Sequence, residues 1–314
     1  MEPVIQQLLA SDEPSIRYKV RVGVLGEDPQ SPAMQALREE IRASPRVTAL
    51  LATAASHGIY QKWGGSHWVL NVLSDLGCPP GDPAIAPLID RTCALWLSER
   101  HIASVPVING RPRRCTSQEG NMLYALLTLG FDDGRADRLV ENILRWQWPD
   151  GGWNCDKKPE AATSSFEETW IPLRALTLYA RVRNHAAARN TAARAAEVLL
   201  KRHLFRRLRD GSVITPRFLL LCYPPYWHYN ILIGLKVMVE AGFINDPRCE
   251  EALDLLESKR LPDGGFPAET VNYITGTARK SNYSAVSWGG KRMAKMNEWV
   301  TAEALCVLVA SGRM

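Results

Sequence analysis

The sequence predicts an all-α protein folded as an α/α toroid, a two-layered ring of about five to six helical hairpins. Three observations predict it. First, one turn recurs between helical patterns. Gln147–Trp153 (QWPDGGW) returns as Leu261–Phe266 (LPDGGF), more weakly as Arg209–Val213, and in degenerate form at Gln61–Trp68. One turn repeated between helices marks copies of a single supersecondary unit. Second, the helices alternate in character. The first helix of each hairpin (68–76, 121–129, 169–179, 229–241, 299–310) is apolar nearly all round. The second carries charge on one side, as with Arg138 and Glu141, or Glu250, Glu251 and Asp254. An all-round apolar helix is buried and a one-sided one lies outside. Third, no long period-two run argues for a strand. An open superhelix of helix pairs is the competing arrangement. The chain ends on a helix of the inner kind, which ring closure explains if the N-terminal segment supplies its outer partner. The whole of 1–314 reads as one such domain.

The elements follow in order. Residues 1–13 form a short amphipathic start. Ser15 is placed to cap a helix carrying Ile16, Val20 and Val22, and Pro29–Pro32 is a turn. Met34 to Leu51 continues helical, broken near Pro45. A helix over Trp68–Leu76 stops at Gly77, because glycine tolerates the left-handed conformation that ends helices. Ile85–Leu97 is its partner. After a basic loop at 109–114, Met122–Leu129 stops at Gly130, Asp132-Asp133-Gly134 turns, and Leu139–Trp146 returns. Phe166–Tyr179 leads into an Ala-rich helix reaching Leu204. The fourth hairpin pairs Ile231–Met238 with Ala252–Leu256, and Asn297–Leu308 closes the chain. The stretch 267–296, with Thr275-Gly276-Thr277, shows little periodicity and reads as a lid or rim loop.

Bulk properties bound the function. With 46% hydrophobic and 23% charged residues, the chain is of ordinary globular composition. Its formal charge of +5 is mild and locally concentrated at Arg111, Arg113, Arg114 and at Lys201, Arg202, Arg206, Arg207, Arg209. The second group reads as a solvated helix end complementing the dipole. Its functional alternative is an anionic partner, a diphosphate or a peripheral contact with a membrane surface. No interleaving of aromatic and basic residues suggests nucleic acid. Seven scattered cysteines without a CxxC pair, and no signal-like N-terminus, are the pattern expected of a cytoplasmic protein.

The Gln147–Trp153 stretch, with the Gly-terminated inner helices around it, resembles the QW, or prenyltransferase/squalene-oxidase, repeat of terpenoid cyclases and protein prenyltransferases. The likeness lies in 118–153 and 228–266. It implies a toroid whose central apolar cavity holds an isoprenoid chain, with isomerase, lyase or transferase chemistry. The family's catalytic motifs are not carried over. No DxDD acid motif is present, and Asp132-Asp133 with Asp137 has DDxxxD rather than DDxxD spacing. Protein prenyltransferases hold zinc through Asp, Cys and His, with Asp two residues before Cys. Here Cys155 and Asp156 are adjacent, and His228 is the third ligand of that candidate set. No cofactor is obligatory on this reading. Zinc or magnesium is the metal the resemblance admits.

Independently of any family, the starts of the inner helices share one rim of the ring. That rim gathers His67, Trp68, Glu119, Asn121, Glu167, Glu168, Trp170, Trp227, His228, Tyr229, Asn230 and Glu298, with Cys155 and Asp156 just past the turn. Convergent polar groups at the mouth of a cavity are what a ligand site needs. The same glutamates suit a helix first turn, and Ser165 with Glu168 matches a capping box. The mechanism expected of this set uses Asp156 or Glu168 as acid, protonating an alkene or activating a leaving group. His228 orients it or accepts a proton. Three function classes follow. The leading one is a terpene-cyclase-like or prenyltransferase-like enzyme on an isoprenoid or other apolar small molecule. The alternatives are a non-catalytic toroid that binds or scaffolds, and a glycan-active lyase or hydrolase. An apolar Trp-lined cavity favours the first, a filled centre the second, and a cleft of carboxylates and aromatics the third.

Overall fold

The computed structural model describes residues 2–276 and 281–314, so Thr277 of the predicted lid or rim loop lies outside the described residues. Among the described residues fourteen α-helices run in chain order: α1 Pro3–Leu9, α2 Pro14–Gly23, α3 Pro32–Ala43, α4 Pro45–Ser56, α5 Ser66–Leu76, α6 Ala86–Trp96, α7 Glu99–Ala103, α8 Ser117–Thr128, α9 Gly134–Arg145, α10 Phe166–Arg183, α11 Ala186–Leu200, α12 Ile231–Ala241, α13 Glu250–Glu257 and α14 Glu298–Ala310. Six of them form an inner wall. α5 packs on α8, α8 on α10, α10 on α12, α12 on α14, α14 on α2, and α2 back on α5. The ring is closed, and the open superhelix is excluded. α6, α9, α11 and α13 form the outer layer, completed by α1, α3 and α4. The fold is the α/α toroid expected from the alternation of all-round apolar and one-sided helices.

The N-terminal segment sits against the last unit. Glu2 pairs with Arg260, and the Ser11 hydroxyl donates to Glu298 at 2.9 Å. Ring closure therefore joins residues at opposite ends of the chain.

The recurring turn is a clamp between repeats. Trp148 N–H donates to Gly152 O (2.8 Å) and Gly151 N–H to Trp148 O (3.0 Å). Leu261 N–H donates to Gly265 O (2.8 Å) and Gly264 N–H to Leu261 O (2.9 Å). The likeness extends to the next inner helix. Ser165 N–H donates to Trp153 O, and Asn297 N–H to Phe266 O, both at 2.9 Å. Four residues on, Thr169 and Thr301 accept from the N–H of Trp153 and Phe266. Gly151 adopts φ +107°, and a Cβ there would meet Arg194 O at 2.5 Å, so no side chain is accommodated. Gln147 bonds Gly151 O within the turn and Thr191 O in the middle of α11, tying the turn to its neighbour.

Other local expectations change. α2 begins at Pro14, with Glu13 rather than Ser15 preceding it, and the Ser15 hydroxyl is buried without a partner. Proline pre-sets the first helical turn. α11 ends at Leu200, not Leu204. Short pieces without sequence periodicity appear: α7, an antiparallel pair β1 (Val107–Ile108) and β2 (Arg111–Pro112), and a second pair β3 (Pro267–Ala268) and β4 (Arg292–Met296). The second pair closes the stem of the 267–296 segment. From that segment, Tyr283 O accepts from Trp63 N–H and Asn272 O from the Trp63 indole, which packs it on the rim. Among the described residues no helix is long and apolar enough to cross a membrane.

Candidate functional site

Every inner helix except α8 places a charged side chain on the ring axis: Lys19 from α2, Asp75 from α5, Arg174 from α10, Lys236 from α12 and Glu303 from α14. Lys19 Nζ reaches Asp75 at 3.0 Å and Glu303 at 2.5 Å, and Lys236 Nζ reaches the same two at 2.9 and 2.7 Å. Arg174 pairs with Glu240 at 2.8 Å and lies over the Tyr124 ring. The Tyr223 hydroxyl donates to Asp75 at 2.7 Å. Three cations thus face three carboxylates in the middle of the ring. Buried charges persist only where partnered like this.

The electrostatics follow from that pairing. Burial pushes the Asp75 carboxyl up, but Lys19, Lys236 and Arg174 overcome it and hold it well below the usual carboxylate range. Glu303 is lowered likewise, burial being outweighed by Lys19 and Lys236. Lys236 is raised, because Asp75 and Glu303 outweigh its desolvation. Both carboxylates are therefore ionised at neutral pH and Lys236 is protonated.

The cluster divides the axial space in two. Toward the starts of the inner helices lies a pocket of about 50 Å³ walled by Trp68, Asn121, Trp170 and Tyr226. The segment Tyr223–Tyr226, with a cis Tyr223-Pro224 bond, covers it. Tyr223 stacks on Trp299 and Tyr226 on Trp63. Toward the helix C-termini an open basin of about 380 Å³ is lined by Tyr18, Arg38, Tyr124 and Glu240 above the charged floor.

The predicted rim residues do gather at the inner-helix starts, but most serve the structure there. Trp68, Asn121 and Trp170 line the small pocket. His67 is buried: its Nδ1 accepts from the Trp96 indole, and burial with nearby Arg114 depresses it to about 3. Glu119 is enclosed by Arg114 and His101. Glu167 takes a bond from Ser165 Oγ, and Asn230 and Asn297 cap α12 and α14. Tyr229 donates to Leu204 O, and Glu298 accepts from Ser11. His228 stacks on Trp227, bonds Pro225 O, and is lowered to about 4 by burial. Glu168 is buried and raised by desolvation, against the pull of the Ser117 N–H that donates to it.

The acid and metal sets are altered accordingly. Asp156 is exposed and accepts from Lys158 N–H, away from the enclosed space where a catalytic acid would sit. Cys155 lies beside Cys115 and Glu168, not in a group with Asp156 and His228. The axial charges Lys19, Asp75, Arg174, Lys236 and Glu303 were missed by the sequence reading. Only Asp75 carries a local signal, as the single carboxylate, lysine or arginine of α5; Lys19 and Arg174 share their helices with several other charges.

No protein family matches the chain, and no curated protein matches it. Two solved structures are similar over almost its whole length. One is a possible member of the GH105 family from Salmonella enterica serovar Paratyphi A, 13% identical, covering 98% of this chain and 91% of that one, TM-score 0.46. The other is a protein from Actinoplanes, 18% identical, covering 96% and 90%, TM-score 0.42. Neither is described as a prenyltransferase or a terpenoid cyclase. With no family model matched, the resemblance to that repeat family is withdrawn, and with it the isoprenoid partner. The ring interior gives a physical reason. An apolar chain on the axis would strip water from Asp75, Glu303, Lys19 and Lys236 without replacing a hydrogen bond. The covered pocket beside them, at about 50 Å³, falls well short of the hundreds of Å³ of an ordinary ligand site.

Proposed function

We propose that the protein is a glycan-active toroid whose ligand enters the basin at the C-terminal ends of the inner helices. One observation carries the reading: the open axial space is walled by alternating donors and acceptors with tyrosine rings among them. Lys19, Arg38, Arg174 and Lys236 donate, Asp75, Glu240 and Glu303 accept, and Tyr18 and Tyr124 offer ring faces. A sugar needs this mixture, because its hydroxyls are both donors and acceptors while its C–H faces are apolar. An orphaned polar group on either side costs about 1–3 kcal/mol.

The ionisation states bear on the reaction. Hydrolysis of a glycoside uses one carboxyl that is neutral and one that is ionised. Asp75 and Glu303 are both ionised, so they do not supply the pair. Elimination at a uronate asks instead for cations against the sugar carboxylate and an ionised base, and the basin holds both. The lyase form is accordingly the better fit. A second reading, binding without turnover, is favoured by the lowered Asp75 and Glu303, since a depressed carboxylate is a weak base.

The test is incubation with neutral and uronate-containing oligosaccharides, following both new reducing ends and the ultraviolet absorbance of a new C=C bond. The lyase reading expects the second signal, on uronates. New reducing ends without it would support hydrolysis. Binding with neither signal supports the second reading, and no response to any saccharide rejects a glycan ligand.

A further inference from the structure

On the opposite rim from the basin, three side chains converge from separate parts of the chain. Cys115 precedes α8, Cys155 follows the Gln147–Trp153 turn, and Glu168 stands in the first turn of α10. One ligand atom from each, two Sγ and a carboxylate oxygen, lies within 4.8 Å of the other two. Cys155 Sγ is 3.7 Å from Glu168 Oε1. We propose that these three residues bind a zinc ion. The inference does not rest on the glycan reading and stands or falls apart from it.

The geometry is close to what the ion requires. With Zn–S of about 2.3 Å and Zn–O of about 2.0–2.2 Å, a tetrahedral site spaces its ligand atoms by about 3.5–3.8 Å. The three atoms therefore need to close by about 1.3 Å at most. The carboxylate is already oriented: Ser117 N–H holds Glu168 Oε2 at 3.0 Å, leaving Oε1 turned to Cys155. Such outer contacts fix the ligand oxygen in metal sites. Ser117 opens α8, so its N–H carries the positive end of that helix, which offsets the negative charge of two thiolates and a carboxylate. Arg114, next in sequence to Cys115, adds a further positive charge nearby.

The donor set selects the metal. Two thiolates disfavour magnesium and calcium and favour zinc. Three protein ligands leave the fourth tetrahedral position open. Cys115 and Cys155 are both partly exposed, so that position is reachable by water or a small ligand. The sequence reading had looked for zinc around Cys155, but with Asp156 and His228. Cys115 and Glu168 are the neighbours the folded chain supplies, because the turn after Trp153 returns past the start of α8. Binding replaces the thiol protons, so affinity weakens as pH falls.

The experiment uses the full chain, reduced and stripped with chelator, then titrated with zinc against a chromophoric competitor. Cobalt substitution supplies a second readout in its thiolate charge-transfer and visible tetrahedral bands. The expected result is one zinc per chain and cobalt bands of thiolate type. Cys115→Ser and Cys155→Ser should each lower affinity by more than about 100-fold, beyond the 10–100-fold that loss of an outer partner costs. Glu168→Gln should weaken binding while keeping the sulfur-to-cobalt band. Circular dichroism of each metal-free variant checks the fold, and Cys78→Ala, a buried thiol elsewhere, should bind like the parent. Three results would overturn the site: no stoichiometric zinc, unchanged affinity in the Cys115→Ser/Cys155→Ser double variant, or a Cys115–Cys155 disulfide as the stable form after reduction and mild air exposure.

Discussion

Asp75 and Glu168 are both largely enclosed carboxylates on two walls of one ring, and they are driven in opposite directions. Asp75, its side chain 16% exposed, has two lysines within 3.0 Å and is held ionised. Glu168, 8% exposed, has a backbone N–H and two thiols beside it, and burial raises it. Burial alone thus does not decide whether an acid is charged; the partners do. The difference assigns the two ends of the ring to different chemistry. The axis is a fixed set of charges suited to hydrogen-bonding a polar ligand. At the rim the α8 N-terminus and Arg114 do not outweigh the burial of Glu168, the condition a bound cation would relieve.

The largest expected break in that contrast is Asp75→Asn. It leaves Lys19 and Lys236 buried with one partner fewer, and loss of one member of a buried ion pair costs about 3–5 kcal/mol. Urea unfolding at neutral pH measures it. A loss under about 1 kcal/mol would mean that the axial charges behave as a surface pair does.

The pH dependence sharpens the contrast. Asp75 and Glu303 titrate below their unfolded values of about 3.9 and 4.3. Their stabilisation is present above those values and is lost as pH falls through the folded ones. Glu168 has the opposite sign. Its folded value is raised, so the metal-free native state keeps a proton that the unfolded chain releases, and stability drops as pH rises from about 4.3 through the folded value. In a stability–pH series on stripped protein, Glu303→Gln should flatten the acid limb, and Glu168→Gln should flatten the decline on its alkaline side. Identical profiles for the two variants would erase the distinction.

The smallest effect is Glu168→Gln without metal at neutral pH. Its stability should match or exceed that of the parent within about 1 kcal/mol, because the amide oxygen still accepts from Ser117. A large loss would show that an anion is needed there even with no ion bound.

The ring was legible in the sequence because periodicity and turn chemistry are local. Gly77 and Gly242 end α5 and α12 in the left-handed region, and the Trp148–Gly152 turn repeats at Leu261–Gly265 bond for bond. The inner-helix starts share a rim as expected. What sequence reasoning could not place was the interior. Lys19 and Glu303 are separated by almost the whole chain and meet only when α14 closes on α2. Lys19 has Arg17 and Arg21 beside it on α2, so nothing local marks it as the axial charge. In the aromatic run 223–229, Tyr223 and Tyr226 cover the small pocket and stack on Trp299 and Trp63, partners distant in the chain. Cys115 was passed over because its partners lie about forty and fifty residues away in the chain.

The central claim is that the ring axis receives a polar, sugar-type ligand from the C-terminal side. Calorimetric titration of the protein and of Arg38→Ala with neutral and uronate oligosaccharides tests it most directly. Arg38 lines the basin without belonging to the ion cluster and donates to the Tyr18 hydroxyl, so circular dichroism of the variant accompanies the titration. The account predicts saccharide binding that weakens by about tenfold in the variant, the loss of one charged hydrogen bond. Saccharide binding of equal strength in both proteins, or none in either, would contradict it.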